Sequence, residues 1–455
     1  MDPTTLGTIT TWAGGRLTRG DASARITNIC TDSRVLKAGD LFLALTGENF
    51  DAHSFVGEVA QRGAAGAIVS RSLGDLPENF TVIEVENTLD ALQKIATAYR
   101  LSLPLKSVVI TGSNGKTSTK DFSAAVLEER HRVVKTRGNL NNHIGLPLTI
   151  LGACAEDKIG VFEIGMNHAG EIAPLAKIAR PDVGIITNIG VAHIEFLGSR
   201  DTIALEKGML AEAVQPDGCV VLNADDEYTP SIAKRTKARA VLCGIESGDI
   251  RASDILLDAG GSSFNILAGG EKTRARIAVP GEHMVRNALI AVTTGIIFGL
   301  SPAECAAGLE NASLTKGRLE QKIIRGMLVL DDTYNANPDS MVAALRTLAQ
   351  MPAAGKRIAV LGRMGELGAE SERGHRLVGE VAGRLGIACV ISVGPEAGLI
   401  SDSAAQEGVD KTFNVSCNIE AAELLRNYAH PGDVVLVKGS RSARMERIVE
   451  GLAAL

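Results

Sequence analysis

Residues 108–121, VVITGSNGKTSTKD, place the strongest constraint on what this chain can fold into. An apolar run enters a glycine-rich turn, and the chain leaves it through Lys116 and Thr117 into a helical stretch. A strand that turns into a helix in this way aims backbone N–H groups and the positive helix end at one spot, which makes an anion site. Lys116 is then placed to reach the β- and γ-phosphates of a nucleotide, and the Thr117 hydroxyl to take a Mg²⁺ position. The full pattern G-x-x-x-x-G-K-[ST] requires glycine at position 110, which is Ile110, so the match is reduced to Gly112-Ser113-Asn114-Gly115-Lys116-Thr117. The rival reading is an ordinary strand-to-helix turn, and the strand and helix context favours phosphate binding.

Strand candidates alternate with helical stretches from residue 106 onward: KSVVIT, IGVFEIG, DVGIITNIG and GCVVLNA, closed by the long helix candidate EHMVRNALIAVTTGIIFGL (282–300). Past TKGRLE the alternation restarts with MLVLDDT, KRIAVLG, CVISVG and DVVLVKG. Short β-rich runs separated by crossover-length helices predict mostly parallel sheets covered on both faces. Residues 1–101 mix short apolar runs with Gly and Asp punctuation and end in the helical TLDALQKIATAYRLS. The expected fold is therefore α/β with three domains: a small α/β module over 1–101, a central P-loop-type parallel-sheet domain over 102–317, and a Rossmann-like doubly wound domain over 318–455.

The net charge of −6 and pI near 5.9 lack the basic surplus that binding a phosphate backbone needs, so nucleic acid is not an expected partner. No apolar stretch is long enough to span a bilayer, since ALIAVTTGIIFGL (288–300) is interrupted by Thr and Gly. The N-terminus has neither the basic n-region nor the apolar h-region of a signal peptide, and the seven cysteines are scattered singly, so a reduced cytoplasmic setting is expected.

Three further residues bear on the chemistry. Glu163 ends the apolar strand candidate IGVFE, where a carboxylate is costly unless paired or bound to metal. His193 lies just past another strand candidate, and Lys207 sits inside a helix candidate. In an open parallel sheet the carboxyl ends of strands converge on the ligand crevice. Taken singly, a capped acid, a hydrogen-bonded loop histidine and a solvated lysine are equally good readings. No His or Cys spacing suits zinc, and with Thr117 an oxygen-rich Mg²⁺ site is the economical choice.

The segments TGSNGKTSTK, GNLNNHIGLPLTI, EIGMNHAGEI, NIGVAHIEFLGS, HMVRNALIAV, TKGRLE, DDTYNANPDS, LGRMGELG and VKGSRSARMER lie in the order seen in the ATP-dependent Mur ligases of peptidoglycan synthesis. The chain resembles that family over nearly its whole length, including TDSRVLKAGDLFLALTGENFDAHSF near the start. The shortened P-loop is the family's own form. DDTYNANPDS and VKGSRS make it most similar to the members that add D-alanyl-D-alanine to UDP-N-acetylmuramoyl-tripeptide.

The resemblance implies ATP and Mg²⁺ as cofactors, UDP-MurNAc-tripeptide and D-Ala-D-Ala as substrates, and a monomer. It implies that Gly112, Asn114, Gly115, Lys116 and Thr117 hold the triphosphate. Glu163 and His193 would serve Mg²⁺, and Lys207 matches a lysine carried as a carbamate. Asn287 matches an adenine contact. Arg318 and Asp332 match residues reaching the nucleotide from the third domain, with Tyr334 and Asn335 beside them. Ser33, Arg34, Asp51 and His53 match the uridine-nucleotide and muramoyl region, and Asn139 and Asn142 the substrate crevice. Lys438, Ser440 and Arg441 match the dipeptide region, where a basic fork suits a carboxylate. Without the resemblance, Arg441 and Arg444 would read as a solvated helix start.

Three positions depart from the family's pattern: Arg363 where Asp is common, His143 where Glu is common, and Thr46 where Lys is common. The tripeptide implied ends in meso-diaminopimelate or L-lysine. Competing readings are another Mur-type amide ligase with the same core, whether a muramoyl-peptide ligase or a folylpolyglutamate synthase, the latter lacking the first module, an ATP-hydrolysing switch, and a dinucleotide enzyme, for which LGRMGELG lacks G-x-G-x-x-G.

Overall fold

The computed structural model describes residues 1–47, 49–74, 76–77 and 79–454. Glu48, inside the first-module motif, and residue 455, the end of the expected third domain, lie outside the described residues. The chain forms two compact units and crosses between them several times: Met1–Val109, His131–Gly165 and Glu171–Asp182 make one, while Ile110–Arg130, Met166–Gly170 and Val183–Leu455 make the other.

In the first unit a five-stranded sheet is ordered Arg16–Arg19, Thr81–Glu84, Gly66–Val69, Leu41–Leu43, Ile29–Cys30. Only its first pair is antiparallel. Phe42, Val56, Val59, Ala67, Val69 and Phe80 pack into one apolar core. Strand Gly66–Val69 is buried throughout, as its apolar sequence requires. The same unit carries the parallel pair Val133–Lys135 and Ile159–Glu163 and the helix Gly145–Leu151.

In the second unit, Val183–Ile186, Cys219–Asn223 and Arg239–Gly244 pair in parallel. The helix Arg200–Ala213, capped by the Ser199 hydroxyl accepting from the Thr202 N–H, connects the first two. The sheet then continues through Ile250–Asp258 into Gly261–Ala268 and Glu271–Ile277, which pair antiparallel. This meander was not anticipated in the mostly parallel pattern. The alternation of buried and exposed residues in Ile250–Asp258 suits a strand with one wet face, which antiparallel pairing tolerates.

A second sheet of six strands runs Glu320–Ile324, Met327–Asp332, Val434–Lys438, Arg357–Gly362, Cys389–Val393, Lys411–Val415. All its neighbours are parallel except the first pair. Val329, Ile358, Val360, Ile391, Val435 and Val437 build its core against Leu425 and Ile448. The strand order, in which Val434–Lys438 lies between Met327–Asp332 and Arg357–Gly362, is that of a doubly wound sheet. Among the described residues no helix is long and apolar enough to cross a membrane.

Candidate functional site

The anion loop forms as the sequence predicts. Strand Lys106–Thr111 enters the turn and helix Lys116–Glu128 leaves it, with Gly115 as N-cap at φ 80°. A Cβ at Gly115 would stand 2.4 Å from Asn287 Oδ1, so the close approach of the loop to helix Glu282–Ile297 requires glycine. The Lys116 ammonium donates to the carbonyls of Gly112 (2.8 Å) and Ser113 (3.4 Å), curling over its own loop. The Asn114 N–H donates to Asn188 Oδ1 at 2.9 Å. Thr117 is buried in the first helical turn.

Beside the loop lies a cavity of about 370 Å³, lined from the central segment by Asn114, Gly115, His283 and Asn287 and from the third by Arg318, Asp332 and Lys438. The Arg318 guanidinium stacks 4.1 Å over the Tyr334 ring, and its buried Nε has no hydrogen-bond partner among the described residues. An arginine held flat, with a donor left over, is ready for an acceptor from outside the chain. Asp332 Oδ1 accepts from the Leu319 N–H at 3.3 Å and Oδ2 from the Lys438 ammonium at 2.6 Å. Lys438, expected toward the dipeptide, therefore points at Asp332 in the cavity wall. Burial pushes its pKa down, against the opposing pull of Asp332. Asn335 is exposed and accepts from Lys438 through its carbonyl.

Lys207 is 1% exposed on helix Arg200–Ala213. Burial first, and the charge of Lys116 second, push its pKa well below the usual lysine value, with Glu206 opposing. The amine is thus held toward its neutral, nucleophilic form. His193 adopts φ 64° and places Nδ1 2.6 Å from Glu366 Oε2, an ion-pair distance off the line of a hydrogen bond. Among the described residues no group of three or more His, Cys, Asp or Glu side chains gathers as a metal site.

In the other unit Glu163 is 2% exposed. Its Oε1 accepts from Asn141 Nδ2 at 2.8 Å, and its Oε2 has no hydrogen-bond partner among the described residues. Asn142 Oδ1 accepts the N–H groups of Ile144 (3.1 Å) and Gly145 (2.9 Å) at the start of helix Gly145–Leu151, while the Asn139 side chain is exposed. Asp51 receives His53 Nδ1 at 2.6 Å and Arg71 at 2.8 Å, and the Ser70 N–H donates to His53 Nε2 at 2.9 Å. With Nε2 accepting from the Ser70 N–H and Nδ1 facing Asp51, the His53 ring is held in orientation by both contacts. The N–H and side chain of His53 hold Asp51 below the usual carboxylate range. Arg34 forks onto Asp32, and the Ser33 carbonyl accepts from Arg62.

Ser440 is buried, its N–H donating to the Arg363 carbonyl at 2.9 Å. Arg441 is exposed beside Glu446 (3.4 Å). Of the three departures, Arg363 is tied to Glu396 and Ser442, Thr46 contacts Asp51 at 3.4 Å, and the exposed His143 meets Gln93 through its carbonyl.

Three family models match in order: "Mur ligase family, catalytic domain" over residues 25–100, "Mur ligase middle domain" over 110–295, and "Mur ligase, glutamate ligase domain" over 317–441. The chain belongs to the Mur ligase family. This Mur ligase is 37% identical over 429 residues, 94% of its length and 93% of the relative's, to the UDP-N-acetylmuramoyl-tripeptide--D-alanyl-D-alanine ligase of Bacillus subtilis. Its fold matches crystal structure I of MurF from Acinetobacter baumannii with a TM-score of 0.91 at 33% identity, covering all of both chains. It matches the Thermotoga maritima MurF ligase solved in complex with ADP with a TM-score of 0.84 at 29% identity, covering 94% of this chain and 97% of that one.

Sequence reasoning missed several residues of the cavity and loop. Asn188 and Asn337, which donates to Asn114 Oδ1 at 2.8 Å, carried no signal beyond following apolar strands. His283, on the same helix as Asn287, was not singled out either. Partly buried in the wall, its imidazole is pushed down to about 4 by desolvation, against Asp332 and with Lys438 and Arg286. Between about 6.5 and about 4 the unfolded chain binds a proton at this position that the folded chain does not, so stability falls as pH drops through that window. Thermal melts of this Mur ligase and H283Q from pH 7 to pH 4 are expected to show the wild type losing more; parallel curves would contradict it.

Proposed function

We infer that this Mur ligase is an ATP-dependent ligase that joins D-alanyl-D-alanine to UDP-N-acetylmuramoyl-tripeptide, making the pentapeptide precursor of peptidoglycan. The observation that carries the reading is similarity at 37% identity, over 94% of the chain, to a ligase of that specificity. The nucleotide cavity beside the P-loop, with Arg318 Nε unpartnered in its wall, supports it. We take 101/102 and 317/318 as the domain boundaries. The first module is assigned the uridine nucleotide, through Ser33, Arg34, Asp51 and His53, with Asn139 and Asn142 toward the rest of the substrate.

The tripeptide's terminal carboxylate attacks the γ-phosphorus of ATP, forming an acyl phosphate and releasing ADP. The dipeptide amine, having lost its proton, attacks the acyl carbon, and phosphate leaves from the tetrahedral intermediate with the bonding pair. Because a carboxylate meets a triphosphate, the chain's main task is charge neutralisation and in-line positioning. Gly112, Asn114, Gly115 and Thr117 cradle the phosphates, Lys116 leaves its carbonyl partners for them, and Arg318 comes from the third domain. Asn287 faces adenine, and Asp332, Tyr334 and Asn335 hold the wall. Lys438, Ser440 and Arg441 are assigned to the dipeptide side, with Lys438 acting through Asp332.

A buried carboxylate oxygen without a partner, as on Glu163, fits a hard divalent cation. We assign Thr117, Glu163, His193 and Lys207 to serve Mg²⁺, which when bound offsets phosphate charge. For Lys207 the assignment requires a carbamate: the neutral amine adds to CO₂, its nitrogen forming the new bond and losing a proton, and the cation becomes an anion with two oxygens.

Two outcomes are expected. Phosphate release with Mg²⁺-ATP and each of the two UDP-muramoyl-tripeptides requires D-Ala-D-Ala, and the product gains a dipeptide by mass; release from ATP alone would instead indicate a switch. Protein equilibrated with ¹³C-bicarbonate gives a carbamate carbon resonance that K207R lacks, and a resonance unchanged in K207R would refute the assignment.

A further inference from the structure

His193, at φ 64°, and Glu366, at φ 60°, both hold left-handed backbone, which residues with such side chains adopt only when their surroundings demand it. They face each other, His193 Nδ1 lying 2.6 Å from Glu366 Oε2. The backbones meet as well, since the Glu195 N–H donates to the Glu366 carbonyl at 3.4 Å. Gly368, at φ 52°, leaves space that a Cβ would lose, coming within 3.0 Å of Glu195 Cγ and 3.2 Å of its Cβ. Two turns, one from the central segment and one from LGRMGELG, are thus pressed as close as a glycine allows, and the contact made there joins a carboxylate to an imidazole.

The carboxylate is out of place by any simple reading of an anion site. Glu366 brings a carboxylate against His193 and into electrostatic reach of the P-loop lysine, Lys116. Beside a site that must gather a triphosphate and a carboxylate substrate, a further anion repels unless it acts on a cation or on a protein group, and the structure sets Glu366 against the His193 ring.

We propose that Glu366 is a positioning residue of the ligation reaction: carried by the third domain's turn, it fixes the His193 ring beside the P-loop, so the ring is placed only when the two turns meet. The inference rests on the ligase reading for its reaction and on the two-turn contact for its geometry.

The test uses the full chain with E366Q, which keeps the shape and removes the charge, and G368A, which keeps the carboxylate and pushes the turns apart. Both are expected to lower kcat for ligation by roughly 10–100-fold while KM for ATP and for the UDP-tripeptide stays within about threefold. In ligand-free protein, the ¹H–¹⁵N ring signals of His193, assigned among the eight histidines by their loss in H193N, are expected to shift in both variants. Wild-type kcat in E366Q, or unmoved His193 signals, would overturn the proposal. If E366Q fails to fold, G368A decides by the same readouts. If the wild type does not ligate, the ligase reading fails and the ring signals still decide the positioning role.

Discussion

The ion pair between Asp332 and Lys438 is the interaction on which the wall of the cavity beside the glycine-rich loop depends. The two residues are register partners at the ends of adjacent parallel strands, and their charges meet at 2.6 Å with almost no access to water. Removing one partner from such a pair leaves a buried charge uncompensated, at a cost of about 3–5 kcal/mol. The pair's remaining hydrogen bonds reach the rest of the wall. Asp332 takes the Leu319 N–H, next to Arg318, and Lys438 takes the Asn335 carbonyl in the segment that carries Tyr334 and Asn337. Through that segment Asn337 reaches Asn114 in the anion loop. A pair that would be a weak stability device thus serves as a fixed point for the groups around a phosphate site.

The charge pattern around the loop follows one logic. Lys116 is parked on its own carbonyls, Arg318 on an aromatic face, and Lys207 is driven toward neutrality by burial. The carboxylates beside the loop include three that are committed to backbone or to a protein cation: Asp339 accepts the Val191 N–H, Asp226 the Ile189 N–H, and Asp332 holds Lys438.

Much of this was legible in the sequence, for local reasons. The strand, glycine turn and helix of the anion loop are set by residues within one short stretch, and so were readable from 108–121. Glu163 was recognisable as unusual because a carboxylate ending an apolar strand must be buried. Its partner Asn141 was not, because that contact depends on how a loop returns. The Asp332–Lys438 pair needed the strand register, and residues 106 positions apart carry no mutual signal. The left-handed turns at His193 and Glu366 are invisible to propensity, since neither residue favours them. The antiparallel meander over 250–277 was missed because its strands are amphipathic and short of the continuous apolar runs that marked the parallel ones.

In the ligation proposed above, the tripeptide carboxylate is activated by direct transfer of phosphate from ATP. This transfer is tested most directly by running the reaction with ¹⁸O in that carboxylate and analysing the released phosphate by mass. One labelled oxygen of each carboxylate that reacts is expected to pass into inorganic phosphate. Ligated product accompanied by label-free phosphate, with the oxygen lost from the carboxylate appearing in water, would contradict direct transfer.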